Sequence, residues 1–269
     1  MKPSGGRPTS GLHTRQNYNQ TMSKQAVSFE VRAPSVDVMQ HRQTVASRVA
    51  AYFEDHFCLP DGYRVVCLLD DQDFFELKLR AGQANRGIHL RLEGAALAGV
   101  VPQHFWNVLR PINATTGKCP SLFDSVVYLH GSTCETDIGL TLALAHELRH
   151  VVQYATQPKV CAANARLQRL PEPFNRDFTV WWDFPIEIDA RIVANGVAET
   201  SFGAEAVREY ILARIESPVT EGDAKDWEFV LNINTAEPYD YIADTNRLVE
   251  KYRQPLIQAE QLHRSGVNY

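Results

Sequence analysis

The sequence predicts an α+β protein in which a small sheet half precedes a helical half. Two observations predict this class. Short apolar or alternating runs dominate the chain up to about residue 135, and long segments with helical spacing dominate it afterwards. We expect a single domain over residues 26–269, with the sheet half at about 26–135 and the helical half at about 136–269.

The sheet half is expected to begin with a helix over Val36–His56, whose apolar residues recur near helical spacing. Three apolar or alternating runs follow, at Tyr63–Leu69, Phe74–Leu79 and Ile88–Leu92. Gly-containing segments separate the later two, so we expect a small mixed or antiparallel sheet, with antiparallel pairing among these three runs. The remaining predicted elements of this half are a short helix over Gly99–Leu109 and a strand over Ser125–Leu129.

The helical half contains the strongest helix signal, Asp137–Tyr154, with a capping-type Asp at its start and a body dense in Leu and Ala. A connection punctuated by Pro158, Pro171 and Pro173 follows it. Because apolar residues again recur at helical spacing, we expect further helices at about Ile186–Glu199 and Ala204–Glu216, and one final helix across Asp240–His263.

The N-terminal segment, residues 1–25, is rich in Gly, Ser, Thr, Pro, Asn and Gln, so we expect it to be disordered. No apolar stretch follows Lys2 and Arg7, which predicts no secretory signal peptide, and no run approaches the ~18 apolar residues of a membrane span. The five cysteines are scattered without a CxxC pair, as is typical of a reducing compartment. We therefore expect a cytoplasmic protein; an exported effector or toxin without such a signal peptide is the alternative.

The composition argues against a nucleic-acid partner. The chain has 44% hydrophobic and 22% charged residues, as ordinary globular proteins do, and its formal net charge is −5. Nucleic-acid-binding proteins usually present a basic face, which this balance of charge does not favour. The composition predicts neither a nucleic-acid partner nor a membrane partner, and it leaves the oligomeric state open.

The motif that carries chemistry is His146-Glu147-Leu148-Arg149-His150, an HExxH pattern in the middle of the strongest predicted helix. Residues four apart lie one turn apart on one helix face, so both imidazoles can bind one metal ion. Zinc lowers the pKa of a bound water molecule, and Glu147 can accept its proton as general base. A chance match is the competing interpretation, which the apolar helical surroundings disfavour.

A third zinc ligand is needed, because a catalytic zinc ion normally takes three protein ligands. The only later histidine is His263, too far along the chain for an HExxHxxGxxH pattern, so we expect a carboxylate. Pro185 starts a predicted helix and Glu187 lies in its first turn. Asp189 is the alternative; we favour Glu187 for its longer side chain. Both acids could instead simply complement the positive end of the helix dipole.

Two segments carry a resemblance to a known family. AHELRHVVQY (Ala145–Tyr154) and PIEIDARIVA (Pro185–Ala194) resemble the gluzincin-type zincins, in which HExxH is followed by a glutamate on a second helix. The local sequence is also similar to that of bacterial zincin-like domains, which contain HELTHVVQQ followed by ExxAxxxA. The resemblance is confined to these segments. Many zincins carry an acid four residues after the ligand glutamate; Arg191 stands there in this chain, which leaves the residue that orients the first histidine unassigned.

The resemblance implies a zincin-like fold, a zinc cofactor and a peptide or protein substrate. In zincins the strand before the metal helix is the sheet edge, to which an extended peptide adds by main-chain hydrogen bonds. Ser125–Leu129 holds that position here, with a plain core strand as the alternative. The resemblance assigns zinc binding to His146, His150 and Glu187, with Glu147 as general base.

Other candidates are weaker. A stabiliser of the oxyanion is usually Tyr, His or Arg, and none of the candidates is favoured over ordinary packing: Arg191, Tyr210, Tyr239, Tyr241 and His263. The aromatic cluster Trp181-Trp182-Asp183-Phe184 is typical of core packing, with a wall of a substrate pocket as the alternative. Cys134 precedes the motif as a cysteine ligand does in deformylase-like HExxH enzymes, but that family's motif is missing around it.

The sequence therefore predicts a zinc-dependent metallopeptidase that hydrolyses peptide bonds. Two alternatives stay open. One is a binding or regulatory module that keeps the metal without turnover. The other is a zinc-dependent amidase or deacylase that acts on a small molecule with the same water-activation chemistry.

Overall fold

The computed structural model describes several segments of the chain. In these segments the protein is mostly helical with a small sheet, in agreement with the predicted α+β class. The described residues are 27–31, 33, 35–69, 87–91, 124–129, 135–170, 183–218 and 221–264. The predicted strand Phe74–Leu79 and the predicted helix Gly99–Leu109 lie outside them, as does the N-terminal segment 1–25.

The sheet has four strands in its described part: β1 (Val27–Val31), β2 (Val65–Leu69), β3 (Gly87–Arg91) and β4 (Ser125–Leu129). Their spatial order is β1-β2-β4-β3. β2 pairs in parallel with both β1 and β4, and β3 pairs antiparallel with β4. The helix α1 (Val36–His56) connects β1 to β2, because two parallel neighbours need a crossover rather than a hairpin.

Two expectations about the sheet are wrong. β2 and β3 are not antiparallel neighbours, because β4 lies between them and pairs in parallel with β2. β4 is also not the sheet edge, because it pairs with β2 on one side and with β3 on the other. An added peptide strand therefore has no free side of β4 to pair with. The sheet is mixed because β2 gains its partners through a helical crossover and a distant segment, not through hairpins.

The helical half contains α2 (Asp137–Thr156), α3 (Pro158–Gln168), α4 (Pro185–Phe202), α5 (Ala204–Glu216), α6 (Glu221–Leu231), α7 (Tyr241–Lys251) and α8 (Arg253–Arg264). The predicted helices at α1 and α5 are confirmed with their predicted bounds, and those at α2 and α4 are confirmed with small shifts at their ends. α3 and α6 were not predicted, and the predicted final helix is two helices, α7 and α8.

The proline positions explain two of these differences. Pro158 lies in the first turn of α3, where a missing N–H costs no hydrogen bond, so it starts a helix instead of breaking one. Pro255 lies in the first turn of α8. In one continuous helix its ring would clash with the carbonyl of Lys251, and the chain instead ends α7 at that residue.

α2 is buried along most of its length. It begins after Thr136, whose hydroxyl accepts a hydrogen bond from the Gly139 N–H at 3.1 Å; the expected cap, Asp137, lies in the first turn instead. α2 packs against α1, against β3 and β4, and most extensively against α4. Leu144 and Leu148 are fully or almost fully buried in that core. Burying one leucine contributes ~1.5–3 kcal/mol, so this packing fixes α2 and α4 side by side.

Searched over its described residues, the structure contains no helix that is both long enough and apolar enough to cross a membrane.

Candidate metal centre

The facing surfaces of α2 and α4 bring three metal-ligating side chains together. His146 and His150 lie one turn apart on α2, and their Nε2 atoms are 3.0 Å apart. Glu187 in the first turn of α4 reaches across, and its Oε2 atom is 3.4 Å from the Nε2 atom of each histidine. These three atoms form a group that can hold a metal ion. They belong to the residues that the sequence predicts as ligands.

The spacing of the three atoms fits a tetrahedral ion. Ligands at 2.0–2.1 Å from zinc, held at tetrahedral angles, lie ~3.3 Å from one another. The separations of 3.0, 3.4 and 3.4 Å are close to that value. His150 and Glu187 are 8% exposed and His146 is partly exposed, so the group is mostly enclosed by protein.

The electrostatics of the group favour one positive charge among its members. Burial lowers the pKa of His146 to about 4. Burial acts in the same direction on His150, but the charge of Glu187, a hydrogen bond to it and the charge of Glu147 outweigh it and raise that pKa to about 9. Burial would raise the pKa of Glu187, yet the charge of His150 and hydrogen bonds from both histidines hold it well below its usual value. A cation bound by this group would take the place of the proton on His150.

Glu147 is buried beside the ligands, with 8% of its surface exposed. Its charge contributes to the raised pKa of His150. Because Glu147 follows His146 directly in the sequence, it is the candidate to exchange a proton with a water molecule at the metal position.

Asp189, the alternative ligand, is engaged elsewhere. Arg149 donates to both of its carboxylate oxygens, from Nε to Oδ2 at 2.6 Å and from NH2 to Oδ1 at 3.2 Å. Gln153 also donates to Oδ2, at 2.7 Å. Of the two acids that the sequence leaves open, Glu187 is therefore the one that meets the histidines, and Asp189 belongs to an ion pair behind them.

Sequence reasoning missed two residues at the site: Gln153, which borders a ligand, and Asp226, which pairs with Arg191 next to a ligand. The Nδ1 atom of His150 is 2.8 Å from the amide oxygen of Gln153. On the other side, Arg191 donates from NH1 to Oε2 of Glu187 at 3.4 Å and from Nε and NH2 to Asp226 at 3.0 and 2.8 Å. A signal for Gln153 exists in the sequence, because it lies three residues after His150 on the same helix face. No local signal marks Asp226, which comes from α6.

The candidates for oxyanion stabilisation are largely engaged in packing or pairing. Arg191 is 4% exposed and paired as described. Tyr210 packs edge-on against Trp227. Burial raises the pKa of Tyr241 to about 12, and the ring of Tyr241 lies against the guanidinium of Arg149. Burial and the nearby Asp244 also raise the pKa of the half-buried Tyr239. His263 lies in α8, and its side chain is outside the described part of the structure.

In the aromatic cluster Trp181–Phe184, core packing is confirmed for Phe184, which is buried against Leu167, Leu170, Tyr252 and Leu256. Trp181, Trp182 and Cys134 lie outside the described residues.

Comparisons with known proteins assign the chain to no family. No family model matches it, and neither the curated proteins nor the solved structures provide a match. The likeness to zincins rests on the two sequence segments and on the chemistry of the site.

Proposed function

We propose that this protein is a zinc-dependent metallopeptidase with a zincin-like metal site. The observation that carries the proposal is the convergence of two imidazole nitrogens and one carboxylate oxygen at tetrahedral spacing, beside the buried Glu147. Two histidines and a glutamate are a known donor set of catalytic zinc, whereas calcium and magnesium prefer oxygen donors alone. A zinc ion would supply a positive charge that lowers the pKa of a water molecule and polarises a carbonyl group.

The protein's own residues have distinct roles in this proposal. His146, His150 and Glu187 hold the ion. Glu147 accepts a proton from the attacking water and returns it to the leaving amine. Arg191, hydrogen-bonded to Glu187, holds that carboxylate in its place on α4.

A peptide is the proposed substrate because the motif resembles those of peptidases and because the sheet offers a strand near the site. With β4 paired on both sides, β3 is the last strand in the described order on that side, and α2 packs against it. An extended peptide can add to such a strand by main-chain hydrogen bonds. We therefore propose that the substrate backbone lies along β3, not along β4.

Metal content tests the site directly. Elemental analysis of wild type, His146→Ala, Glu187→Ala and the exposed control Glu209→Ala is expected to give one zinc per chain in wild type and control, and loss in the other two. Glu209 lies on α5 and is exposed, so its variant reports on handling alone. A wild-type protein that binds no zinc after incubation with the ion would overturn the proposal.

Cleavage tests the activity. Zinc-loaded wild type and Glu147→Gln are incubated with a mixed peptide library, and products are identified by mass spectrometry. We expect cleavage by wild type and a loss of ~10²–10⁴-fold in Glu147→Gln, because a positioned general base contributes about that factor. Zinc content is expected to be equal in both. Equal cleavage by both proteins, or no cleavage by zinc-loaded wild type, would contradict a peptidase with Glu147 as base.

A further inference from the structure

Gln153 has an amide whose orientation is set by its neighbours. It lies on α2 and is fully buried. Its nitrogen donates to the backbone carbonyl of Ile186 at 2.9 Å and to Oδ2 of Asp189 at 2.7 Å. Both partners accept hydrogen bonds here, so the two N–H groups of the amide must point at them. The amide oxygen is left facing His150.

This orientation determines which nitrogen of His150 carries hydrogen. The amide oxygen of Gln153 can only accept, and it lies 2.8 Å from Nδ1 of the imidazole. Nδ1 must therefore keep its hydrogen whenever the ring is neutral, so the lone pair that becomes available to a metal ion is the one on Nε2. Nε2 is the atom that meets His146 and Glu187 at the candidate metal position.

The Gln153 amide is anchored by the ion pair between Asp189 and Arg149. Asp189 accepts two hydrogen bonds from Arg149, with side chains only 6% and 13% exposed. The guanidinium carbon of Arg149 lies 4.7 Å from the centre of the Phe57 ring and 5.6 Å from that of Tyr241. A guanidinium held by a bidentate carboxylate and two aromatic rings has little freedom to move. The order of the array is thus Arg149, Asp189, Gln153, His150.

We propose that Gln153 is the positioning residue of His150, and that the array behind it holds this imidazole in the tautomer and orientation that metal binding needs. Histidines that bind metals almost always donate their other N–H to an acceptor, which fixes the ring and strengthens the bond to the metal. Here the acceptor is an amide on the same helix, and the acid two residues after Glu187 orients that amide. The proposal rests on the metal site of the proposed function but not on peptide cleavage.

Two substitutions of Gln153 by residues of similar size distinguish a role in positioning His150 from a purely structural role. Gln153→Leu removes the acceptor for the Nδ1–H group. Gln153→Glu keeps an acceptor there but turns a second oxygen toward Ile186 and Asp189, so it loses stability. We expect a 10–100-fold weaker zinc affinity in Gln153→Leu, the usual effect of losing such a partner, and a change below about threefold in Gln153→Glu. Competition with a chromophoric chelator measures the affinity, and urea unfolding measures the stability.

A buried amide outside the array serves as the control. Asn164 on α3 is also fully buried and donates to Thr245 at 2.7 Å. Asn164→Ala is expected to lose stability while keeping its zinc affinity. In the zinc-loaded protein, nitrogen-15 NMR is expected to detect an exchange-protected Nδ1–H of His150 in wild type and Gln153→Glu, and not in Gln153→Leu.

The outcomes are distinguishable. If Gln153→Leu binds zinc as tightly as wild type, or if Gln153→Glu weakens binding as much as Gln153→Leu does, Gln153 does not position His150. The metal site itself survives both of those results. If wild type binds no zinc, the proposed function fails, and this inference fails with it.

Discussion

The ion pair between Arg191 and Asp226 is a place where one changed charge should cost the protein much of its stability. It joins α4 to α6, and both side chains are almost completely buried, at 4% and 8% exposure. Two guanidinium nitrogens donate to one carboxylate oxygen, at 3.0 and 2.8 Å. Asp226→Asn keeps the shape of the side chain and removes its charge, so that Arg191 must rely more on the more distant carboxylate of Glu187.

The expected loss follows from burial. Removing one partner of a buried ion pair costs 3–5 kcal/mol, because the other charge stays buried without full compensation. The Oε2 atom of Glu187, 3.4 Å from NH1, compensates part of the charge, so we expect the lower end, about 3 kcal/mol in the free energy of unfolding. A domain is stable by only ~5–15 kcal/mol, so this is a large fraction. The loss should grow with zinc bound, since the ion then competes with Arg191 for Glu187.

Urea unfolding followed by circular dichroism measures this loss, in chelator and with zinc. The control is Glu250→Gln, which removes the carboxylate of an i,i+3 pair with Arg253 whose side chains are 74% and 66% exposed. Exposed pairs contribute ~0–1 kcal/mol, so the control should hardly change. If Asp226→Asn loses less than about 1 kcal/mol and resembles the control, the pair is not a desolvated structural contact and the reasoning is refuted.

Three other predictions concern the ligand helices and the core. In chelator, the free energy of unfolding should be highest near pH 6.5. The pKa of His146 is about 4 in the folded protein, below its value in the unfolded chain, so stability falls as the pH drops from 6.5 toward 4. The pKa of His150 is about 9 in the folded protein, above its value in the unfolded chain, so stability also falls as the pH rises from 6.5 through 9. Urea midpoints at pH 5, 6.5 and 8 test this, and a monotonic trend would contradict it. Leu148→Ala should cost 2–5 kcal/mol by urea unfolding, because Leu148 is 2% exposed in the core; a loss below 1 kcal/mol would mean that its site collapses around the cavity. Burial raises the pKa of the Cys67 thiol, so brief iodoacetamide treatment of native protein should label the exposed Cys58 and spare Cys67, which peptide mapping can check; equal labelling would argue against the buried position.

Helical periodicity and the metal motif were sufficient to predict α2 and its two histidines, because both depend on residues that are close in sequence. Glu187 was predicted for a similar reason. Pro185 marks the start of α4, and a glutamate in that first turn can reach a neighbouring helix. The choice between Glu187 and Asp189 needed the structure, since it depends on which face of α4 packs against α2. Arg149 decides it by pairing with Asp189.

The sheet could not be predicted in the same way, because pairing joins segments that are far apart in the chain. β2 reads as an apolar run whether its neighbours are parallel or antiparallel, and only the crossover through α1 makes β1 its parallel partner. β1 itself was missed, although Val27, Phe29 and Val31 alternate toward the core. The polar residues behind the site were missed because their partners come from other helices, as Asp226 does from α6.

Polar contacts hold the two helices that carry the candidate ligands. Gln153 of α2 donates to Asp189 of α4, and Arg191 of α4 is held in turn by Asp226 of α6. A cation bound by His146, His150 and Glu187 would add a further tie between α2 and α4. Because both helices are already fixed by packing and polar contacts, little ordering is left for the ion to impose, and more of its binding free energy is retained as affinity. In the proposed site, the polar residues around the ligands would therefore act on metal binding mainly by holding the ligand side chains in place, which is what the zinc affinities of the Gln153 variants test.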